Sequence, residues 1–444
     1  MELWLLLFLM VLLTYFVVKR RVASITRSQP MTQTSAPTET VPPAVEKPSL
    51  RPITKQEETD LRNCFPWGVY YLQNVEYRPQ AVLCRGKLRT NPDTAYQTVR
   101  ENIEAEFGDR FFVIFQESFS GKPFFALVPN PYAQTKVGEN RTLESLPRVY
   151  RESLTRPGLA LALLLITLFT TTLVGATEIA GFPLEEVQSN PALLLQGLSY
   201  AVALMGILSI HELGHYVTAI YYKMRSTLPY FIPVPFFLGT FGAFIQLRSP
   251  VPNRKALFDV GIAGPLAGLI VTIPVLLWGL TQSGVVPLSE ESGLVNIQSL
   301  DPRFSLLLAL LSKWALGSQL TPEMAINLHP VAVAGYIGLI VTAFNLMPVG
   351  QLDGGHIVHA MFGQRMGAGI GQITRLLMLI LAMKEPDLLL WAIILIFMPI
   401  ADEPALNDVS ELDNWRDLGG LLALVMLVSI LLPLPGTLAA VLNV

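Results

Sequence analysis

The chain reads as a polytopic α-helical membrane protein with a small soluble α+β domain ahead of its membrane part. Of 444 residues, 51% are hydrophobic and only 15% charged, and the mean hydropathy is +0.46, a balance rare among soluble globular proteins. Apolar runs, several near the about 20 residues a spanning helix needs, recur from Leu159 to the end. The stretch 54–150, by contrast, has ordinary soluble composition. Net charge is close to neutral at -3 with no Lys/Arg-rich block, which excludes the nucleic-acid-binding class.

Taken in order, residues 1–21 read as an N-terminal membrane anchor. Leu3 to Val18 is apolar and is followed by Lys19, Arg20 and Arg21, which predicts an uncleaved segment with its basic end in the cytosol. Residues 22–53 are rich in Ser, Thr, Pro and Gln without periodicity and are expected to be a disordered linker. Within the 54–150 domain, Asn91 and Pro92 give a helix start, and Tyr96, Val99, Ile103 and Phe107 form an apolar stripe ending at Gly108. Gly68 to Val75, Phe111 to Gln116 and Pro123 to Val128 are rich in aromatic and β-branched residues and read as strands under that helix. Cys64 and Cys84 belong to no CxxC pair, so ordinary reduced thiols are expected.

The membrane part is expected over 157–444. Candidate spans are Leu159 to Thr177, Ala192 to Tyr221, Leu257 to Leu280, Phe304 to Leu316, Val331 to Met347, Ile370 to Met383, Leu388 to Ile400 and Leu418 to Leu434, several of them short for a crossing. Lys223, Arg225, Arg248, Arg254 and Lys255 cluster in loops on one side, whereas loops 177–191 and 282–301 are acidic or neutral. The soluble domain is therefore expected on the cytosolic side. Leu228 to Leu247 is apolar but carries Pro229, Pro233, Pro235, Gly239 and Gly242. Backbone of that kind must rest on neighbouring helices, so a re-entrant hairpin is expected, with an edge strand able to pair with an unfolded substrate segment. Gly264 and Gly268 make a small-xxx-small face for helix packing. The acidic stretch from Asp402 to Asp417 reads by default as a solvated loop.

The chemistry concentrates in two places. His211-Glu-Leu-Gly-His215 closes an apolar run, and on a helix two histidines four apart project from one face, able to hold one zinc ion with Glu212 beside them as general base. Ionisable groups at membrane depth are costly and usually functional. Catalytic zinc takes three protein ligands and a water, and NLMPVGQLDGGH, from Asn345 to His356, is the other polar stretch at an apolar span. Its Pro348 and Gly350 break the helix and two glycines follow Asp353, whose carboxylate is the candidate third ligand. His329, His356 and His359 are candidates for supporting the ligands.

These motifs resemble those of the site-2 proteases, intramembrane zinc metalloproteases whose HExxH helix pairs with a later N-x-x-P-x-x-x-L-D-G motif. Asn345, Pro348, Leu352, Asp353 and Gly354 stand at that spacing. The resemblance extends to PFFLGTFGAFI and GIAGPLAG, and CRGKLRTNPDTAY with EAEFGDRFF looks like the soluble domain of the plastid and cyanobacterial EGY-type branch. No PDZ insertion is apparent, and the lack of a Ser/Arg-rich transit peptide favours a cyanobacterial or similar membrane over a plastid one. The resemblance implies a site-2 protease core with a re-entrant hairpin, one Zn2+ per chain held by His211, His215 and Asp353, catalysis by Glu212, and substrate or oxyanion contact by Asn345. Its expected partner is a transmembrane segment of a regulatory protein, cut where the helix unwinds.

Other readings stay open on the residues alone. A membrane metal transporter or sensor would also place His and Asp in lipid but needs no Glu beside the first His. A non-proteolytic membrane scaffold would be expected to lack a motif residue. A zinc protease of another membrane family usually draws its third ligand from a downstream Glu. Oligomeric state is not legible.

Overall fold

Long apolar helices organise residues 156–444, because backbone polar groups at membrane depth must be satisfied within the segment. The computed structural model describes residues 53–118, 121–130, 133, 156–289, 292–294, 296–384 and 386–444. The expected anchor at 1–21, the linker to residue 52, and nearly all of the expected 54–150 domain beyond residue 130 lie outside the described residues.

The N-terminal α+β unit begins with α1 (Lys55–Asn63), started by a capping box in which Thr54 and Glu57 bond each other's backbone amides. Strands β1 (Tyr70–Arg78) and β2 (Ala81–Leu88) form a hairpin, α2 (Pro92–Phe107) crosses, and β3 (Phe111–Glu117) and β4 (Pro123–Pro129) complete an antiparallel sheet of order β1-β2-β4-β3. Helix α2 follows the predicted signals: Asn91 accepts from the Asp93 amide, Pro92 opens the first turn, and Gly108 ends the helix at φ 62°. Its Tyr96, Val99 and Ile103 are buried against Phe115, Phe125 and Leu127. Strand β2 and helix α1 are additions to the sequence expectation. The charges in Arg85-Gly86-Lys87 hide the strand, which is defined by pairing with β1 and β4. Both cysteines are buried and free.

Then come α3 (Pro157–Val174), α4 (Leu184–Ser189), α5 (Leu194–Tyr221), β5 (Tyr230–Pro233), β6 (Thr240–Phe244), α6 (Arg254–Thr281), β7 (Gly284–Pro287), α7 (Leu306–Leu316), β8 (Met324–Asn327), α8 (Pro330–Leu346), α9 (Asp353–Phe362), α10 (Gln364–Lys384), α11 (Leu389–Phe397), α12 (Asn414–Leu431) and α13 (Gly436–Leu442). Among the described residues five helical segments are long and apolar enough to cross a membrane: Pro157–Ile179, Pro191–Tyr221, Arg254–Thr281, Gln364–Met383 and Asn414–Leu431. Helix α8 is apolar but shorter. Its Ala332, Val333, Ile337 and Leu339 are buried with Leu204 and Leu208 of α5 and Leu269 and Leu276 of α6, so three helices share one core.

The proline- and glycine-interrupted stretch forms a two-stranded antiparallel sheet, β5 with β6. Its tip rests on helices: Thr170 Oγ1 donates to the Gly239 carbonyl at 2.7 Å and Tyr200 OH to that of Leu238 at 3.0 Å.

The acidic C-terminal stretch is a solvated loop only in part: Glu403 and Glu411 are exposed, but the segment between them is not. Asp402, Asn407, Asp408 and Ser410 are buried, and residues 406–408 run between the α+β unit and the start of α6. The Phe115 amide donates to the Leu406 carbonyl at 2.7 Å, the Asp408 amide to that of Phe115 at 2.9 Å, and the Asn407 amide to that of Pro252 at 3.0 Å. Leu406 and Val409 pack into the α+β core. The default failed because burial was set by partners far away in the chain rather than by local charge density.

Candidate metal centre

His211 and His215 lie one turn apart on α5, and both are buried, 4% and 7% exposed. Their Nε2 atoms are 3.2 Å apart. From the turn after α8, Asp353 brings Oδ2 to 3.4 Å from His211 Nε2 and 3.3 Å from His215 Nε2. A tetrahedral zinc with ligands at 2.0–2.1 Å requires its ligand atoms to be about 3.3 Å apart. The three donor atoms make a triangle of that size, and the His-His-carboxylate set is one zinc favours. Among the described residues this is the cluster of His, Cys, Asp and Glu side chains able to hold a metal ion.

The sequence explains how the triangle is held. His215 donates Nδ1–H to the Val260 carbonyl at 2.8 Å, which leaves the Nε2 lone pair facing the other two donors. Pro265 breaks the backbone ladder in the same stretch of α6. Gly264 and Gly268, expected as a helix-packing face, do let α6 approach α5, but what they approach is the imidazoles. A Cβ at 264 would come 2.0 Å from His215 Nε2, and one at 268 would come 3.1 Å from His211 Nδ1. Asp353 is delivered by a sharp turn: α8 stops at Leu346, Pro348 follows, and Gly350 adopts φ 56°.

Glu212 is buried on the neighbouring strip of α5, and its carboxylate faces the Ile245 backbone amide just past β6. Asn345, on the last turn of α8, has its amide Nδ2 3.1 Å from His211 Nε2, beside the triangle. All five residues singled out in the sequence therefore gather in one place. The three supporting candidates do not touch it by hydrogen bonds. His329 caps α8, accepting from the Val331 amide at 3.3 Å. His356 and His359 bond Asp402 at 2.8 and 2.9 Å. Asp402 and Asp408 were missed by sequence reasoning; the available signal was an acidic stretch following an apolar region that holds two extra histidines, His356 and His359.

Residues 199–383 match peptidase family M50. Among curated proteins the chain is similar to probable zinc metalloprotease EGY1, chloroplastic, of Oryza sativa subsp. japonica, 31% identical over 390 residues that cover 82% of this chain and 65% of the relative. The protein of the same name in Arabidopsis thaliana is 30% identical over 372 residues, covering 80% and 66%. Probable zinc metalloprotease EGY2, chloroplastic, of Arabidopsis thaliana is 28% identical over 378 residues, covering 84% and 63%. The chain thus spans just under two thirds of the length of these relatives. No solved structure matches.

Proposed function

We propose, from the match of residues 199–383 to peptidase family M50 and the similarity to the EGY metalloproteases, that the chain is an intramembrane zinc endopeptidase that cuts transmembrane segments of membrane-anchored regulatory proteins. The single observation that carries the proposal is the triangle of His211 Nε2, His215 Nε2 and Asp353 Oδ2, with sides of 3.2 to 3.4 Å, set among apolar helices with both histidines buried. Those three atoms would hold one zinc ion, which would supply Lewis-acid polarisation of the scissile carbonyl and acidification of the attacking water.

The chain's own residues do the rest. Glu212 takes a proton from the attacking water and returns it to the leaving amide nitrogen as the C–N bond breaks. The Val260 carbonyl holds His215 in the tautomer that leaves Nε2 free. The Asn345 amide donates toward the substrate carbonyl oxygen as its charge develops. Strand β6 leads directly to Ile245 and Glu212, so the β5–β6 hairpin is proposed to be re-entrant and to hold an unwound substrate segment by main-chain pairing along its edge.

The 54–150 α+β unit is proposed to be soluble and to lie on the cytosolic side of a cyanobacterial-type plasma or thylakoid membrane, or of a plastid membrane. Asn407, which bridges to Phe115 of the unit, also bridges to Asn253, at the bundle end that carries Arg248, Arg254 and Lys255. Membrane-fraction proteomics of a Glu212→Gln strain tests the function. Uncleaved single-pass proteins accumulate if the proposal holds, and a membrane proteome identical to wild type contradicts it.

A further inference from the structure

Asp353 is the first residue of α9 and has no side-chain cap behind it at Leu352, so the aim of its carboxylate depends on how α9 is seated. The seat is provided by residues 398–411, beyond the 199–383 segment that matches the family. Arg375 Nη2 donates to the carbonyls of Met398 at 3.0 Å and Pro399 at 2.6 Å. The Pro399 carbonyl in turn lies against Gly350, where a Cβ would approach to 2.3 Å. Three and six residues after Asp353, His356 and His359 both donate Nδ1–H to Asp402 Oδ2, at 2.8 and 2.9 Å. His359 also donates Nε2–H to Asp408 Oδ1 at 2.9 Å, and Arg254 Nε reaches the same oxygen at 3.3 Å.

Both ring nitrogens of His359 face carboxylates, so both carry protons and the ring is an imidazolium. His359 and Arg254 then balance Asp402 and Asp408 in a group where His359 is 1% exposed, Asp408 4% and Asp402 7%. Such a buried charge group holds only while every partner is in place. Four residues on, the same segment is bonded to β3 through Phe115 and buries Leu406 and Val409 in the α+β core. Sliding it against α6 breaks either the charge group or the β3 bonds, so the two ends cannot move independently.

We infer that Asp402, with His356 and His359, is a positioning group for Asp353, and that residues 398–411 form a strap coupling the seating of the α+β unit to the geometry of the metal centre. The inference rests on the zinc-protease reading and adds to it residues that touch neither metal nor substrate.

The test uses the full chain in detergent, loaded with Co2+, whose visible absorption reports coordination geometry. Two variants are compared with wild type below their unfolding temperatures: Asp402→Asn, which keeps shape and removes charge, and the double variant Leu406→Ala, Val409→Ala, which loosens only the α+β end. The strap predicts an altered cobalt spectrum in both, loss of cobalt to a chelator about 10 to 100 times faster, and a lowered kcat at unchanged KM. Should Asp402→Asn fail to fold, the double variant decides, because its truncations leave the charge group whole. Folded variants with the wild-type spectrum and release rate overturn the coupling. Wild-type protein that binds no cobalt overturns the metal-centre reading itself, and the strap with it.

Discussion

Gly264 of α6 lies against the imidazole of His215 on α5, so closely that a Cβ on it would stand 2.0 Å from Nε2. The same ring is tied from behind by its bond to the Val260 carbonyl, so it has nowhere to retreat without losing that bond. Gly264→Ala is therefore expected to lower metal affinity by about tenfold or more, the scale at which disturbing a ligand's support acts. Gly268→Ala, where the approach to His211 is 3.1 Å, should cost less. Metal content after dialysis against a graded chelator series ranks the two, and equal retention by both variants and wild type would refute the packing argument.

Glu212 is buried beside the donor triangle without being part of it. Glu212→Gln should therefore retain metal while cleavage falls by roughly 10²–10⁴-fold, the usual contribution of a positioned acid–base group. Zinc analysis and a peptide-bond cleavage assay on the same preparation check both halves.

The β5–β6 hairpin depends on Gly239, at φ 81° with the Thr171 backbone 2.4 Å from where a Cβ would stand. Gly239→Ala should destabilise by on the order of 1–3 kcal/mol from backbone strain alone, with the clash in addition. Gly206 in α5 has nothing within 4 Å of its Cβ position, so Gly206→Ala should be neutral or stabilise by about 0.5–1 kcal/mol. Thermal unfolding midpoints in detergent should move in opposite directions, or only for the first variant.

Burial pushes the Cys64 thiol up to about 11 and the Cys84 thiol up to about 12, with Glu106 and Asp60 adding to the effect at Cys64. The thiolate is the reactive form, and it becomes appreciable only as pH approaches those values. Alkylation of the folded α+β unit at pH 8 should be negligible and become rapid on unfolding. Mass spectrometry of iodoacetamide-treated protein measures it, and fast native labelling of either residue would show that the unit opens.

What the sequence revealed follows a physical division. Helix α2 was legible because Asn91, Pro92 and Gly108 are local signals acting within one or two turns. That His211 and His215 share one helix face was legible because the HExxH spacing follows helical periodicity, and the structure brings Asp353, singled out as a candidate third ligand, to the same place. Strand β2 was not, since its Arg85 and Lys87 read as loop and only its neighbours make it a strand. Gly264 and Gly268 were legible as a contact face but not as the wall behind the histidines. Asp402 and Asp408 were least legible: their partners His359 and Arg254 lie 43 and 154 residues away, and a run of acids looks solvated until those partners are known.

The central claim is a zinc ion shared by α5 and the turn after α8, and X-ray absorption of purified wild-type and Asp353→Ala protein, with metal content measured on the same samples, tests it most directly. The account predicts one zinc per wild-type chain with nitrogen and oxygen ligands at about 2.0–2.2 Å, and a zinc content reduced several-fold in the variant. Equal zinc content and an unchanged first shell in Asp353→Ala would contradict it.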